Sequence, residues 1–155
     1  MMFATIAACL IAAAPMAEAG QAGFQSWTGP RYDMQAVFPA GMFRLVRESD
    51  NGDGAEFVSA DGAVLIVYAT ANPNPVPIRD YIRGRERAED GRVTYRHIGI
   101  AHAVISGRRG DRIFYQRYEF DGVSDLVRSY RLEYPARLQG RYGPIVSRIR
   151  VGRGR

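Results

Sequence analysis

The alternation of apolar and polar residues from position 32 onward predicts a series of short β-strands. Met34–Phe38 is the first of them, and a Pro-Ala-Gly turn closes it because proline cannot donate to a strand ladder. Glu56–Ser59 and Ala63–Thr70 flank an Asp-Gly turn and are predicted to form a hairpin. Since Val64–Tyr68 is continuously apolar, the second strand of this hairpin is predicted to be central and covered on both faces.

A proline-rich loop, residues 71–77, leads into a predicted helix. Either Pro75 or Pro77 stands in its first turn, where a backbone N–H would make no hydrogen bond within the helix, so its absence costs nothing. The helix is predicted to end near Asp90 and Gly91. The residues that share its apolar face are Ile78, Tyr81, Ile82 and Ala88.

Three or four further strands are predicted after this helix. Their bounds are Val93–Ile100, Ala103–Ser106, Arg112–Phe120 and Leu126–Tyr134. In the last two strands, one face of the first holds Phe114, Tyr118 and Phe120, and one face of the second holds Leu126, Tyr130, Leu132 and Tyr134. Both sets face one core only if the connecting loop has an odd number of residues, because a shift of one residue inverts a strand. A loop of three or five residues around Asp121-Gly122-Val123 is therefore predicted.

The last element is predicted to be a helix over Gly143–Ile149. Pro144 would occupy its first position, and Ile145, Val146 and Ile149 share one face. Strands punctuated by helices without strict alternation indicate an α+β fold. We expect a single domain over residues 32–155, with a mainly antiparallel sheet of about six to seven strands and two packing helices.

The N-terminal segment is typical of an export signal. Phe3–Met16 is almost entirely apolar, but its 14 residues are fewer than the roughly 20 needed to span a bilayer. The sequence Ala17-Glu18-Ala19 before Gly20 is a secretory cleavage site, so residues 1–19 are predicted to be a cleavable signal peptide. No basic residue precedes Arg31, which indicates a weak signal or a start codon placed too late. An alternative interpretation takes Cys9 as a lipoprotein cysteine.

The segment that follows the predicted cleavage site, residues 20–31, is rich in glycine and lacks periodicity. We expect a mobile leader there, with Phe24 and Trp27 able to dock on the domain. Cys9 is the only cysteine, so the mature chain has no disulfide to stabilise it. A packed core must do so instead.

All 21 basic residues are arginines, and the formal net charge is +5. GC-rich codon usage explains the absence of lysine, and selection for planar, phosphate-matching guanidinium groups is the alternative. The charge is uneven, since residues 31–62 hold three arginines and six acids whereas residues 137–155 hold six arginines and no acid. The predicted partner-binding residues are these six: Arg137, Arg141, Arg148, Arg150, Arg153 and Arg155.

Other chemistry-bearing residues do not form a recognised catalytic or metal-binding pattern. The loop Asp50–Gly54 has neither the first nor the last ligand of an EF-hand and is interpreted as a turn. A hairpin around Gly99 can bring His97 and His102 together, but no cysteine is available and no carboxylate lies in residues 93–108. Ser59 and Ser106 lack a nucleophile-elbow motif. The sequence predicts no catalytic residue, no cofactor and no metal.

A stripe of Arg79, Arg83 and Arg87 recurs every four residues on the first predicted helix. Four acids on the same helix balance its charge to zero: Asp80, Glu86, Glu89 and Asp90. The stripe is therefore interpreted as a solvated face.

Several local motifs together resemble a known family. They include Tyr32–Ala40, the turns Asn51–Gly54 and Ser59–Gly62, Leu132–Pro135 and Tyr142–Val146. Further matching motifs are Val93-Thr94-Tyr95 and Ile105-Ser106-Gly107. This succession resembles a family of secreted proteobacterial proteins of uncharacterised function, whose layout is similar to the PsbP-like α/β/α sandwich. The resemblance implies a binding or accessory role.

The resulting hypothesis is an exported, non-enzymatic binding or accessory protein of the cell envelope, periplasmic or secreted after cleavage near Ala19. Its expected partner is a protein or an anionic envelope component. Neither specific nucleic-acid binding nor a transmembrane segment after processing is expected. The alternative is a small periplasmic hydrolase with an unconventional site, which a deep pocket lined by His97 or His102 and a carboxylate would favour.

Overall fold

The computed structural model describes residues 23–73, 75–122 and 125–154. The predicted signal peptide, Cys9 and Arg155 lie outside these residues. The strands are β1 (Phe24–Gly29), β2 (Met34–Pro39), β3 (Arg44–Glu48), β4 (Gly54–Val58), β5 (Val64–Ala71), β6 (Arg92–Ile98), β7 (His102–Arg109), β8 (Arg112–Phe120), β9 (Leu126–Pro135) and β10 (Arg150–Arg153). The helices are α1 (Ile78–Ala88) and α2 (Gln139–Tyr142), with 3₁₀ turns at Ala136–Leu138 and Val146–Arg148.

The strands form two antiparallel sheets. The large sheet has seven strands in the order β3-β4-β5-β9-β8-β7-β6, and the small sheet has three in the order β1-β2-β10. The predicted α+β class, single domain and antiparallel sheet are confirmed. No helix in the described part of the chain is long and apolar enough to cross a membrane.

One face of the large sheet packs against the small sheet and the C-terminal segment. Alternate residues of β5, Leu65, Val67 and Ala69, are buried on this face because successive strand side chains point to opposite sides. β2 contributes Met34 and Phe38 from the small sheet. We call this cluster the sandwich core.

The opposite face of the large sheet packs against α1. Ile82 is fully buried there, with Phe114, Tyr118 and Val127 from the sheet. We call this cluster the helix core. α1 lies over β6 and β7, and its Arg85 extends to Tyr68 of β5.

The register of β8 and β9 corrects one prediction. Five residues separate Phe120 from Leu126, as expected, but the last β8–β9 pair is Phe120 with Val127. Phe114 therefore lies opposite Glu133, and the even-numbered apolar residues of the two strands point to opposite faces. The prediction that they share one core is wrong, because this sheet has a core on each side.

The N-terminal part of the domain also differs from the prediction. Phe24–Gly29, placed in a mobile leader by the sequence, is strand β1 and pairs with β2 along its whole length. Trp27 packs edge-on against Phe57, with ring centroids 6.4 Å apart. The short strand β3, whose residues are all exposed, was not predicted.

The C-terminal helix predicted over Gly143–Ile149 is present only as the 3₁₀ turn Val146–Arg148. Ile145 and Ile149 are buried, as expected of the predicted apolar face. The chain then becomes β10, which pairs with β2 from Arg150 opposite Val37 to Arg153 opposite Met34. Arg153 is thus the last residue of a strand.

Candidate functional site: the basic C-terminal segment

The segment after β9 crosses the sandwich core and is anchored to it by apolar and aromatic side chains. Tyr142 is fully buried and stacks on Tyr134, with ring centroids 5.1 Å apart. The Tyr130 hydroxyl donates a hydrogen bond of 2.5 Å to the Val146 carbonyl oxygen. These contacts hold the segment against the sheet, so its arginines are directed outward.

Arg141 belongs to a structural cluster at the turn between β4 and β5. Its Nη1 lies 3.1 Å from Asp61 Oδ2. Asp61 also accepts hydrogen bonds from the hydroxyls of Ser59 and Tyr142. Those two hydrogen bonds, assisted by the charge of Arg141, hold the pKa of Asp61 below its usual range. Arg141 is therefore neutralised by a partner that fastens α2 to the sheet.

The remaining described arginines of the set have different surroundings. Arg153 lies 4.0 Å from Asp33, at the limit of an ion pair. Arg148 lies over the Phe24 ring, 5.2 Å from its centroid. Arg137, Arg148 and Arg150 meet no carboxylate within the described ranges.

The positive charge of Arg148 and Arg150 lies in or beside the small sheet and is not paired with a carboxylate among the described residues. None of the small-sheet strands contains an aspartate or glutamate. Arg150 is exposed opposite Val37, and Phe24 beside Arg148 is about half exposed, at 48%. We call the surface formed by Phe24, Arg148 and Arg150 the basic face. It joins unneutralised guanidinium groups to an aromatic ring, the combination expected of an anion-attracting surface.

A cleft of about 430 Å³ runs beside the basic face, between β8 and β10. Val146, Ile149 and Val151 give it apolar walls. Arg117 also lines it but is held by Glu119, with Nε 2.5 Å from Oε1. Arg150 at the same cleft has no such partner, so an anionic group next to an apolar segment fits there.

The structure brings the two histidines together but does not place them at this cleft. The rings of His97 and His102 are 5.2 Å apart between centroids, as the predicted hairpin allows. Within the described ranges, no three histidine, cysteine or acidic side chains converge on a metal-sized site. The acidic loop is closed by its own bonds, including one of 2.8 Å from the Gly54 N–H to Ser49 Oγ.

The arginine stripe on α1 is not balanced within the helix. Arg83 pairs with Asp80 at 3.2 Å, but the other acids of this region bind arginines of the sheet. Those pairs are Glu86 with Arg96, Glu89 with Arg131 and Asp90 with Arg109. Arg79 and Arg87 are left without an acidic partner among the described residues, but all three arginines of the stripe are exposed, in agreement with the predicted solvated face.

One polar pocket was missed by the sequence analysis. It lies between α1 and the large sheet and includes Arg85, Tyr68 and Gln116. These residues come from three separate elements, so no local motif joins them. The only signal was Gln116, a polar residue on the buried face of β8 between Phe114 and Tyr118.

Comparison with known proteins provides a structural relative. No family model matches the chain, and no curated protein matches it. The solution structure of cyanobacterial PsbP (CyanoP) from Synechocystis sp. PCC 6803 has a TM-score of 0.62 and 12% sequence identity, and the match covers 90% of this chain and 98% of that one. The match extends over nearly the whole of both chains at an identity that reports on fold alone. The chain is therefore similar to the PsbP-like fold.

Proposed function

We propose that the protein is an exported, non-enzymatic binding or accessory protein of the cell envelope that attaches to an anionic partner through its basic face. The observation that carries the proposal is that Arg148 and Arg150 lie in or beside a small sheet whose strands hold no acid, without carboxylate partners within the described structure. The resemblance to PsbP-like proteins supports a binding role by analogy. The hydrolase alternative has less support, since neither His97 nor His102 lines the cleft or the pocket beneath α1.

Vesicle binding tests the proposal. Each arginine near an anionic surface contributes about 1 kcal/mol, so changing Arg148 and Arg150 to Gln together should weaken binding to phosphatidylglycerol vesicles by about 30-fold. Binding by the natural sequence should also fall steeply between low salt and 1 M salt, where the Debye length is only about 3 Å. Cosedimentation measures both effects.

The matched control changes Arg79 and Arg87 to Gln. It removes the same charge from α1, where these two side chains also lack acidic partners among the described residues. It should retain most of the binding. Equal losses in the two double variants would show that only net charge matters, and binding indifferent to salt would contradict the electrostatic mechanism.

Export provides an independent prediction. The A-x-A site follows an apolar run too short to anchor the chain, so the protein recovered from the periplasm of its host should begin at Gly20. Intact-mass spectrometry measures this directly. Full-length protein, or a lipid-modified Cys9, would contradict it.

A further inference from the structure

A pocket of about 270 Å³ lies between α1 and the large sheet, away from the basic face. Arg85 reaches into it from α1, and Tyr68, Gln116 and Tyr118 line it from the sheet. Arg85 Nε donates to the Tyr118 hydroxyl and Nη2 to the Tyr68 hydroxyl, both over 3.4 Å. Within the described residues, no carboxylate neutralises this guanidinium group.

The hydrogen bonds around Tyr68 have a fixed direction. Arg131 Nη1 donates to Gln116 Oε1 over 3.3 Å, and a guanidinium group can only donate. The amide oxygen of Gln116 must therefore face Arg131, and its Nε2 donates to the Tyr68 hydroxyl over 2.5 Å. Gln116 is only 3% exposed, so this orientation is built into the fold.

Two hydroxyl protons in the pocket consequently lack a hydrogen-bond acceptor among the described residues. Tyr68 oxygen accepts from both Gln116 and Arg85, and Tyr118 oxygen accepts from Arg85. Neither O–H finds an acceptor among the described residues. Burial raises the pKa of Tyr118, which keeps its phenol protonated and able to donate.

The acid that lines the pocket is already engaged. Glu89 binds Arg131 through both carboxylate oxygens, at 2.5 and 3.2 Å from the two terminal nitrogens. Arg131 also contacts Glu133. The pocket thus presents one unneutralised guanidinium group and two phenol donors, and no free side-chain acceptor for them lies among the described residues.

We propose that this pocket is a binding site for a small oxyanion, a carboxylate or a phosphate group. Such a group supplies the acceptors that Arg85, Tyr68 and Tyr118 lack, and its planar or tetrahedral oxygens match the fork of a guanidinium group. The site is independent of the basic face, and either can exist without the other.

NMR titration tests the site. The probes are inorganic phosphate and acetate, each added to ¹⁵N-labelled protein, with sodium chloride at equal ionic strength as the reference. The Arg85 Nε–H resonance and the Gln116 side-chain amide should shift and saturate with at least one of the two anions and not with chloride. Saturation by phosphate alone assigns a phosphate ligand, and saturation by acetate alone assigns a carboxylate.

Two variants and a control complete the experiment. Arg85→Gln should weaken binding about tenfold or more, and Tyr68→Phe, which keeps the ring and removes the donor, should weaken it several-fold. Arg87→Gln on the same helix should bind as the natural sequence does. The proposal is overturned if neither anion gives a saturable shift, or if Arg85→Gln and Tyr68→Phe both bind as tightly as Arg87→Gln.

Discussion

Glu133 is the residue on which three arginines converge. Its two carboxylate oxygens lie 2.8 Å from Arg109 Nη2, and Arg112 Nε lies 2.8 Å from one of them. Arg131 adds a contact of 3.3 Å. Burial alone would raise the pKa of Glu133, but the hydrogen bonds from Arg109 and Arg112 and the charges of Arg109 and Arg131 outweigh it and lower that pKa.

Replacing Glu133 by Gln should therefore destabilise the protein in a pH-dependent way. A lowered carboxyl pKa stabilises the fold fully above the unfolded-state pKa, about 4.3, and that contribution is lost as the pH falls through the folded-state pKa. We expect Glu133→Gln to lose about 1–3 kcal/mol at pH 7, with a smaller loss in acid. Urea unfolding at pH 7 and at pH 3 measures the difference.

The surface pair of Arg47 and Glu56 provides the control. Its atoms are 3.0 Å apart, but the Arg47 side chain is 74% exposed. Glu56→Gln should change the free energy of unfolding by less than about 1 kcal/mol. A loss in Glu133→Gln that is the same at both pH values would show that its charge is not the source of the stabilisation.

At the scale of elements, side-chain periodicity predicted the strands and the helix that bury a face. β2, β5, β8, β9 and α1 are found close to the expected positions because burial imposes a period of 2 or 3.6 on their sequences. β3 and β10 were not predicted. Both are short and expose arginines, and they are ordered by backbone pairing with β4 and β2, which leaves no side-chain pattern.

The candidate sites were predictable only in part, for a related reason. The acid-free run of arginines was visible in the sequence, but the pairing of Arg141 with Asp61 and of Arg153 with Asp33 depends on contacts distant along the chain. The pocket at Arg85 depends entirely on such contacts. The register of β8 with β9 could not be chosen by parity without knowing that the sheet has two cores.

β10 gives a prediction at this scale. Ending the chain after Ile149 removes the strand that pairs with β2 and leaves Met34 and Ala36 at an uncovered edge. Lost strand hydrogen bonds and the partly buried Val151 should together lower the free energy of unfolding by about 2 kcal/mol, after the smaller ordering entropy is included. Urea unfolding measures it. Arg150→Gln, which keeps the strand, should unfold as the natural sequence does, and an unchanged midpoint in the truncated chain would contradict the assignment.

At the scale of the whole molecule, two cores share the same central strands. β8 and β9 place Ile113, Tyr130 and Leu132 in the sandwich core, and Phe114 and Val127 in the helix core. Because each strand belongs to both clusters, neither core can be lost while the sheet stays intact. The two faces should therefore unfold in one transition.

The single tryptophan allows this coupling to be tested. Trp27 lies at the sandwich core, on the far side of the sheet from Phe114. Phe114→Ala should lower stability by about 3–5 kcal/mol, and the Trp27 fluorescence transition should move together with the far-UV circular dichroism transition. A fluorescence midpoint that stays in place while the circular dichroism midpoint falls would show two independent units.

The two proposed binding surfaces lie on different sides of the large sheet. The basic face lies on the small sheet, whereas the Arg85 pocket lies beneath α1 on the opposite face. The two surfaces are formed by different segments of the chain. The segments that become protected on binding therefore show which surface is occupied. This separation makes a map of the bound surface more informative than an affinity.

Amide hydrogen exchange in the presence and absence of phosphatidylglycerol vesicles tests the central claim most directly. If the basic face is the attachment surface, protection should increase in β1, in β10 and in the turn Val146–Arg148, and it should be lost at high salt. α1 and β6 should exchange as they do in the free protein. Protection that is confined to α1 and β6, or that appears nowhere, would contradict the claim that the protein binds anionic partners through its C-terminal arginines.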